Sequence, residues 1–149
     1  MIALPEAYEL VDDPARIDPL AAHAYLSRSY WAEGIPLDVV ARSIENSLCV
    51  AIFHEGQQIA FARAVTDYAT FGYLMDVHVL EDHRGKGLSH VLVRYFLEHE
   101  RLQGFRRWTL FTLDAHELYR QHGFSAPAHP ERLMTRDDPH IYKSGAGQR

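Results

Sequence analysis

The stretch Val77-His78-Val79-Leu80-Glu81-Asp82-His83-Arg84-Gly85-Lys86-Gly87-Leu88-Ser89 restricts the fold of this chain more than any other. It reads as an apolar strand, a short polar turn and the glycine-spaced start of an amphipathic helix. In the helix, Leu88, Val91, Leu92, Tyr95, Phe96 and His99 follow the i, i+3, i+4, i+7 spacing of one buried face, while Arg94, Glu98 and Arg101 fall elsewhere. Gly104 is the expected stop. Glycines at 85 and 87 let the backbone approach a ligand closely, and the first helical turn leaves N–H groups without partners. The helix macrodipole, Arg84 and Lys86 add positive charge at the same end, a setting that suits a pyrophosphate. The Walker and dinucleotide-binding glycine patterns are both absent. The competing reading of Gly85-Lys86-Gly87 is a flexible turn before a helix.

The rest of the chain supplies the remaining layers. Residues 8–11 open a strand, and Asp18-Pro19 gives an N-cap followed by proline at the first helical position, for a helix running to residue 31 before Gly34. A second helix is expected over residues 37–45. The apolar run 48–53, the turn His54-Glu55-Gly56-Gln57 and the alternation through Ile59, Phe61 and Arg63 predict a hairpin. Residues 70–80 form the next strand and residues 108–113 a return strand. That strand–helix–strand order favours a parallel pair. Asp114, with Glu117 three positions on, matches a capping box for a short helix ended by Gly123. Residues 124–126 and 133–136 are expected closing strands. The sequence divides into one domain over residues 1–142 and a flexible tail over 143–149.

Composition excludes several classes. The chain has 149 residues, 47% hydrophobic and 23% charged, which suits one ordered domain. A net charge of −5 argues against a nucleic-acid partner and favours a cationic one. No apolar run is long enough for a membrane span, and no secretory leader is evident, so a cytoplasmic location is expected. The lone Cys49 lies within an apolar strand and reads as core. The ten histidines lack metal-ligand spacing: His-Glu-x-x-His is missing, and His116 and His122 are six apart, so no metal is expected.

Two segments carry a family resemblance. Arg84-x-x-Gly87-x-Ser89 after a Val-x-Val strand resembles the acyl-CoA-binding signature of the GNAT N-acetyltransferase superfamily, Arg/Gln-x-x-Gly-x-Gly/Ala, with Ser89 at the position of the final small residue. Downstream, Ala115-x-x-Leu118-Tyr119-x-x-x-Gly123-Phe124 is similar to that family's Ala-x-x-Leu-Tyr-x-x-x-Gly-Phe helix. The resemblance runs from residue 8 to residue 134. It implies an α/β (α+β) domain with a mixed, mostly antiparallel central sheet, a splayed parallel strand pair and helices on both faces. It also implies acetyl-CoA as co-substrate, its pantetheine arm paired with the backbone near Val77 and Val79 and its pyrophosphate on Arg84, Gly85, Lys86, Gly87, Leu88 and Ser89. Where the family often carries Asn, this chain has Thr112, and Thr112 or Asp114 is the candidate replacement contact.

The implied reaction moves an acyl group directly to a primary amine, borne by a small molecule or by a protein. Tyr119 occupies the general-acid position, where a phenol near pKa 10 can protonate a departing thiolate. A backbone N–H near Val77 or Val79 would polarise the thioester carbonyl. Asp76 is the first candidate base, Glu81 the second, and His78 is able to serve itself; on a regular strand Asp76 and His78 share a face, a parity that a bulge would alter. The acceptor wall is expected from Tyr25, Tyr30, Trp31 and Glu33, since aromatics with a carboxylate suit a cation. The alternative is a non-catalytic acyl-CoA sensor or regulatory module. An exposed strand edge near the C-terminus makes a homodimer an expected partner state.

Overall fold

The computed structural model describes residues 4–143. Five strands form one sheet in chain order: β1 (Tyr8–Val11), β2 (Leu48–His54), β3 (Gln57–Thr66), β4 (Phe71–Val79) and β5 (Arg107–Thr109). Neighbours are antiparallel except β4 and β5, which run parallel. The helices are α1 (Pro19–Leu26), α2 (Leu37–Glu45), α3 (Leu88–Glu98) and α4 (His116–Arg120).

Side-chain alternation on the central strands feeds a core on each face. Val50 and Ile52 of β2 and Ala60, Ala62 and Ala64 of β3 meet Leu88, Leu92, Val93 and Phe96 of α3. The intervening Cys49, Ala51 and Phe61 meet Ala22 and Leu26 of α1 and Val40 of α2. Helices therefore cover both faces, and Cys49 is core, its thiol pushed up to about 12 by burial. Fully burying side chains such as Phe61, Phe96 and Leu26 contributes roughly 1.5–3 kcal/mol each.

Two irregularities in β4 prepare the site. Arg63 faces Met75 while Phe61 faces His78, so β4 carries one extra residue there, and Asp76 within it has φ +59°. Leu74 and Val79, five positions apart, consequently lie in the same core. The second irregularity is at the edge. The β4–β5 ladder has three register pairs, Phe71 with Arg107, Gly72 with Trp108 and Tyr73 with Thr109, and ends there while β4 continues six residues to Val79.

Several sequence expectations need correction. α1 ends at Leu26 because Ser29 intervenes: its hydroxyl donates to the Leu26 carbonyl at 2.7 Å and accepts from the Ala32 amide at 3.1 Å, folding residues 27–34 into turns. Gly104 does not end α3, which stops at Glu98 before a 3-10 turn at Glu100–Leu102; Gly104, at φ +80°, turns the chain towards β5. The return strand is three residues, not six. Asp114 does not cap α4: Thr112 Oγ1 accepts the Ala115 amide at 3.0 Å, and Glu117 pairs with Arg120 instead. Residues 124–126 and 133–136 form no strands; prolines at 127, 130 and 139 punctuate this segment. Residues 144–149 of the expected tail lie outside the described residues.

Candidate active site

The loop after β4 has the shape its glycines require. Gly85 and Gly87 adopt φ +80° and +77°, and Gly87 is the N-cap of α3 with no side chain capping the first turn. Residues 84–86 are exposed, and buried Leu88 anchors the helix beneath them. Ser89, half-buried, is the second residue of α3. The first-turn amides are thus left without side-chain partners at the positive end of the helix dipole, a setting that favours negative charge. Arg84 is directed inward: its Nε donates to the Val79 carbonyl at 3.0 Å and its guanidinium reaches the Tyr25 hydroxyl at 3.2 Å. It braces the loop against β4 and α1, leaving exposed Lys86 as the mobile cation beside the cradle.

From the end of the ladder the two strands separate, and among the described residues the β5-facing edge of β4 has no strand partner from Leu74 to Val79. Chain 110–115 forms the opposite bank. Here Thr112 holds the start of α4 through the Ala115 amide, Asp114 is exposed, and the Leu113 amide donates to the Tyr30 hydroxyl at 3.0 Å. α4 places Tyr119 beside this bank, buried with its ring edge-on to Phe124. Burial pushes the Tyr119 phenol up to about 12, with the nearby Tyr30 and Asp114 adding to the effect. It stays protonated at neutral pH.

On β4, Asp76 and His78 lie on the α1 side. Asp76 Oδ2 accepts from Arg63 Nε at 2.6 Å and Oδ1 from Trp31 Nε1 at 2.9 Å. The imidazole of His78 stacks on Tyr25, with centroids 4.2 Å apart and planes 5° from parallel. Its Nδ1 lies 2.9 Å from the Asp76 carbonyl, which can only accept; Nδ1 is therefore the protonated nitrogen and Nε2 bears the lone pair. Burial holds the His78 pKa down at about 4, so the ring is neutral at pH 7. Glu81 sits apart from these two, in a two-pronged pair with Arg28 at 2.7 and 3.0 Å that lowers its carboxyl to about 2.

The structure therefore gathers Tyr119, Tyr30, Trp31, Asp76 and the open edge of β4 around one split, with the glycine cradle at its α3 end. Glu33 is exposed on the same turn as Trp31, and Val77 packs partly against the α3-side core. Sequence reasoning missed Arg63 and Arg28 as partners of the carboxylates. A signal existed for Arg63: a cation flanked by Ala62 and Ala64 in a buried strand demands an anion. Among the described residues, no group of three or more His, Cys, Asp or Glu is placed to hold a metal, and no helix is long and apolar enough to cross a membrane.

Comparison with known proteins bears on this arrangement directly. Residues 5–124 match the family model described as the acetyltransferase (GNAT) family. A candidate acetyltransferase of Gibberella zeae is 30% identical over 135 residues, covering 75% of each chain. The crystal structure of a Xanthomonas campestris pv. campestris protein, assigned provisionally as a GNAT acetyltransferase, is 44% identical. It covers 95% of this chain and 100% of its own, with a TM-score of 0.91. A Deinococcus radiodurans structure, also a candidate acetyltransferase, shares the fold at 17% identity, with a TM-score of 0.73 over 98% of this chain and 97% of its own. With the split sheet, the uncapped α3 and the two motifs all in their expected places, this chain belongs to the GNAT family of acetyltransferases.

Proposed function

We propose that the protein transfers an acetyl group from acetyl-CoA to a primary amine within a ternary complex. The observation that carries this reading is the edge of β4: it loses its strand partner after Tyr73 and leads directly into the open amides of α3. An extended, amide-bearing arm ending in a pyrophosphate matches both halves of that surface. The arm adds as a short strand along the β4 edge, and the phosphates take the amides of residues 85–89 with Lys86 beside them. Val79 offers its remaining backbone capacity, because its carbonyl already accepts from Arg84.

Asp76 draws the cationic amine towards the bulge; the ammonium gives up one proton to water so that its lone pair can attack, and Asp76 takes the second proton from the nitrogen of the tetrahedral adduct, whose acidity has risen sharply. Two of the roughly four acceptor positions of its carboxylate are engaged by Arg63 and Trp31, which leaves room for the amine or a bridging water. Glu81 is committed to its two-pronged pair with Arg28, away from the bulge. His78, neutral with its lone pair on Nε2, supports the Asp76 side of the site by donating from Nδ1 to the Asp76 carbonyl and stacking on Tyr25. A backbone amide of the bulged strand near Val77 or Val79 stabilises the oxyanion. Tyr119 supplies the proton for the departing thiolate, and Tyr30, Trp31 and Glu33 face the acceptor.

The test is thiol release from acetyl-CoA with a panel of amines, comparing the parent with Tyr119→Phe. A loss of kcat on the order of 10²-fold or more, with acetyl-CoA affinity retained, supports the assignment. Tight acetyl-CoA binding without transfer to any amine of the panel would instead favour a binding module.

A further inference from the structure

Tyr30 and Trp31 are adjacent in sequence, yet their side chains reach opposite banks of the split. The Trp31 indole N–H donates to Asp76 Oδ1 on β4 at 2.9 Å. The Tyr30 hydroxyl accepts from the Leu113 amide, beyond the end of β5, at 3.0 Å. The two rings brace each other edge to face, with centroids 5.0 Å apart.

Neither aromatic is there to fill a core, since Tyr30 is 56% and Trp31 40% exposed. Their turn is held firmly. Ser29 closes its start through Leu26 and Ala32, and the Gly34 amide donates to the Ser27 carbonyl at 2.9 Å. Gly34 itself, at φ +82°, lies so close to the C-terminal segment that a Cβ there would come within 2.7 Å of the Tyr142 carbonyl. The Leu113 amide matters because it belongs to the stretch that leaves the ladder. In a sheet zipped along its whole length, amides of this stretch would seek β4; here the phenol of Tyr30 takes the one on Leu113.

We propose that Tyr30 and Trp31 form a strut that holds the β4 and β5 banks apart at the width an acyl-CoA arm requires. They are positioning residues for the cofactor, acting from the acceptor side through Asp76 and Leu113. This rests on the acyl-CoA reading of the split. The strut also links the two substrates, because an acceptor that moves the turn at residues 29–34 moves both banks.

Calorimetric titration with acetyl-CoA, without any acceptor, tests this on the parent, Tyr30→Phe, Trp31→Phe and the double variant. Each single variant keeps an aromatic ring and removes one hydrogen bond, so the expected loss of affinity is about 5–10-fold, with melting temperatures lowered by no more than about 6 °C and the fold retained. Breaking either end breaks the strut, so the double variant loses less than the product of the two single losses. Hydrogen exchange at the Leu113 amide, slow in the parent, speeds up in Tyr30→Phe. Affinity unchanged within about twofold in Tyr30→Phe, or single losses that multiply fully, overturns the strut. A parent protein that does not bind acetyl-CoA removes the acyl-CoA reading itself, a distinct outcome.

Discussion

Arg63 Nε meets Asp76 Oδ2 at 2.6 Å across β3 and β4, with the two side chains 12% and 9% exposed. A pair so sheltered is held by its own geometry more than by water, and removing one partner strands the other in a poorly solvated place. Arg63 keeps only the Ser47 hydroxyl, at 3.1 Å, if Asp76 loses its charge. Asp76→Asn is the cleanest probe because Asn tolerates φ +59° and can still accept from Trp31. The expected cost is about 3 kcal/mol, read by urea denaturation, and most of it returns in Arg63→Met/Asp76→Asn. If Asp76→Asn alone unfolds at the parent's urea midpoint, the pair contributes nothing to stability.

His78 gives the protein an acid-sensitive core. Burial is the main cause of its depressed pKa of about 4; the Asp76 carbonyl and carboxylate oppose that shift, while Arg28 and Arg84 reinforce it. The unfolded chain takes up this proton near pH 6.5 and the folded one only near pH 4, so the unfolded state binds more protons between those values. Stability is therefore full above about pH 6.5 and declines as pH falls towards 4, by on the order of 3 kcal/mol. His78→Phe keeps a ring against Tyr25 and Phe61 but cannot titrate, so its stability profile is flatter across the same window. Parallel profiles for parent and variant between pH 4 and 6.5 would contradict this origin.

How much of this was legible beforehand depended on whether the signal was local. α2, the β2–β3 hairpin and the start of α3 follow from periodicity, proline and glycine, and they sit where those residues put them. The cradle was readable for the same reason: Gly85 and Gly87 declare positive φ in the sequence itself. The bulge was not, although an Asp in the apolar run Leu74-Met75-Asp76-Val77 is the residue there most tolerant of left-handed backbone. Strand lengths failed where pairing partners decided them. Residues 110–113 have strand character but no ladder, because β4 diverges from them. Thr112 displaced Asp114 at the start of α4, a choice between two side chains that spacing alone does not rank. Partners distant in sequence, Arg28 with Glu81 and Tyr30 with Leu113, left no local trace.

The middle rung of the parallel ladder depends on the absence of a side chain. A Cβ on Gly72 would lie 2.5 Å from Cζ3 of Trp108, whose ring covers β4 at that point and packs against Phe96 and Phe105. Gly72→Ala must tilt that ring away from its neighbours, at an expected cost of about 2 kcal/mol. The chain has two tryptophans, so thermal unfolding followed by fluorescence in a Trp31→Phe background reports Trp108 alone. An unshifted melting temperature and emission maximum would show that the ring gives way freely.

Gly87 and Gly56 separate backbone strain from ligand access. Both are left-handed, at φ +77° and +79°, but Gly87 caps α3 at the cradle while Gly56 turns the β2–β3 hairpin, where a Cβ would meet nothing within 4 Å. A valine at either site costs about 1–2 kcal/mol of backbone strain. At Gly87 the branched side chain also stands where phosphate oxygens must approach the first-turn amides, so Gly87→Val is expected to weaken acetyl-CoA binding by about tenfold or more, the equivalent of one or two lost charge-assisted hydrogen bonds. Gly56→Val bears the same strain and keeps the parent's affinity. Calorimetry on the two variants, with circular dichroism to show that α3 is retained, decides the matter: equal affinities would mean that the amides ahead of α3 do not hold the phosphates.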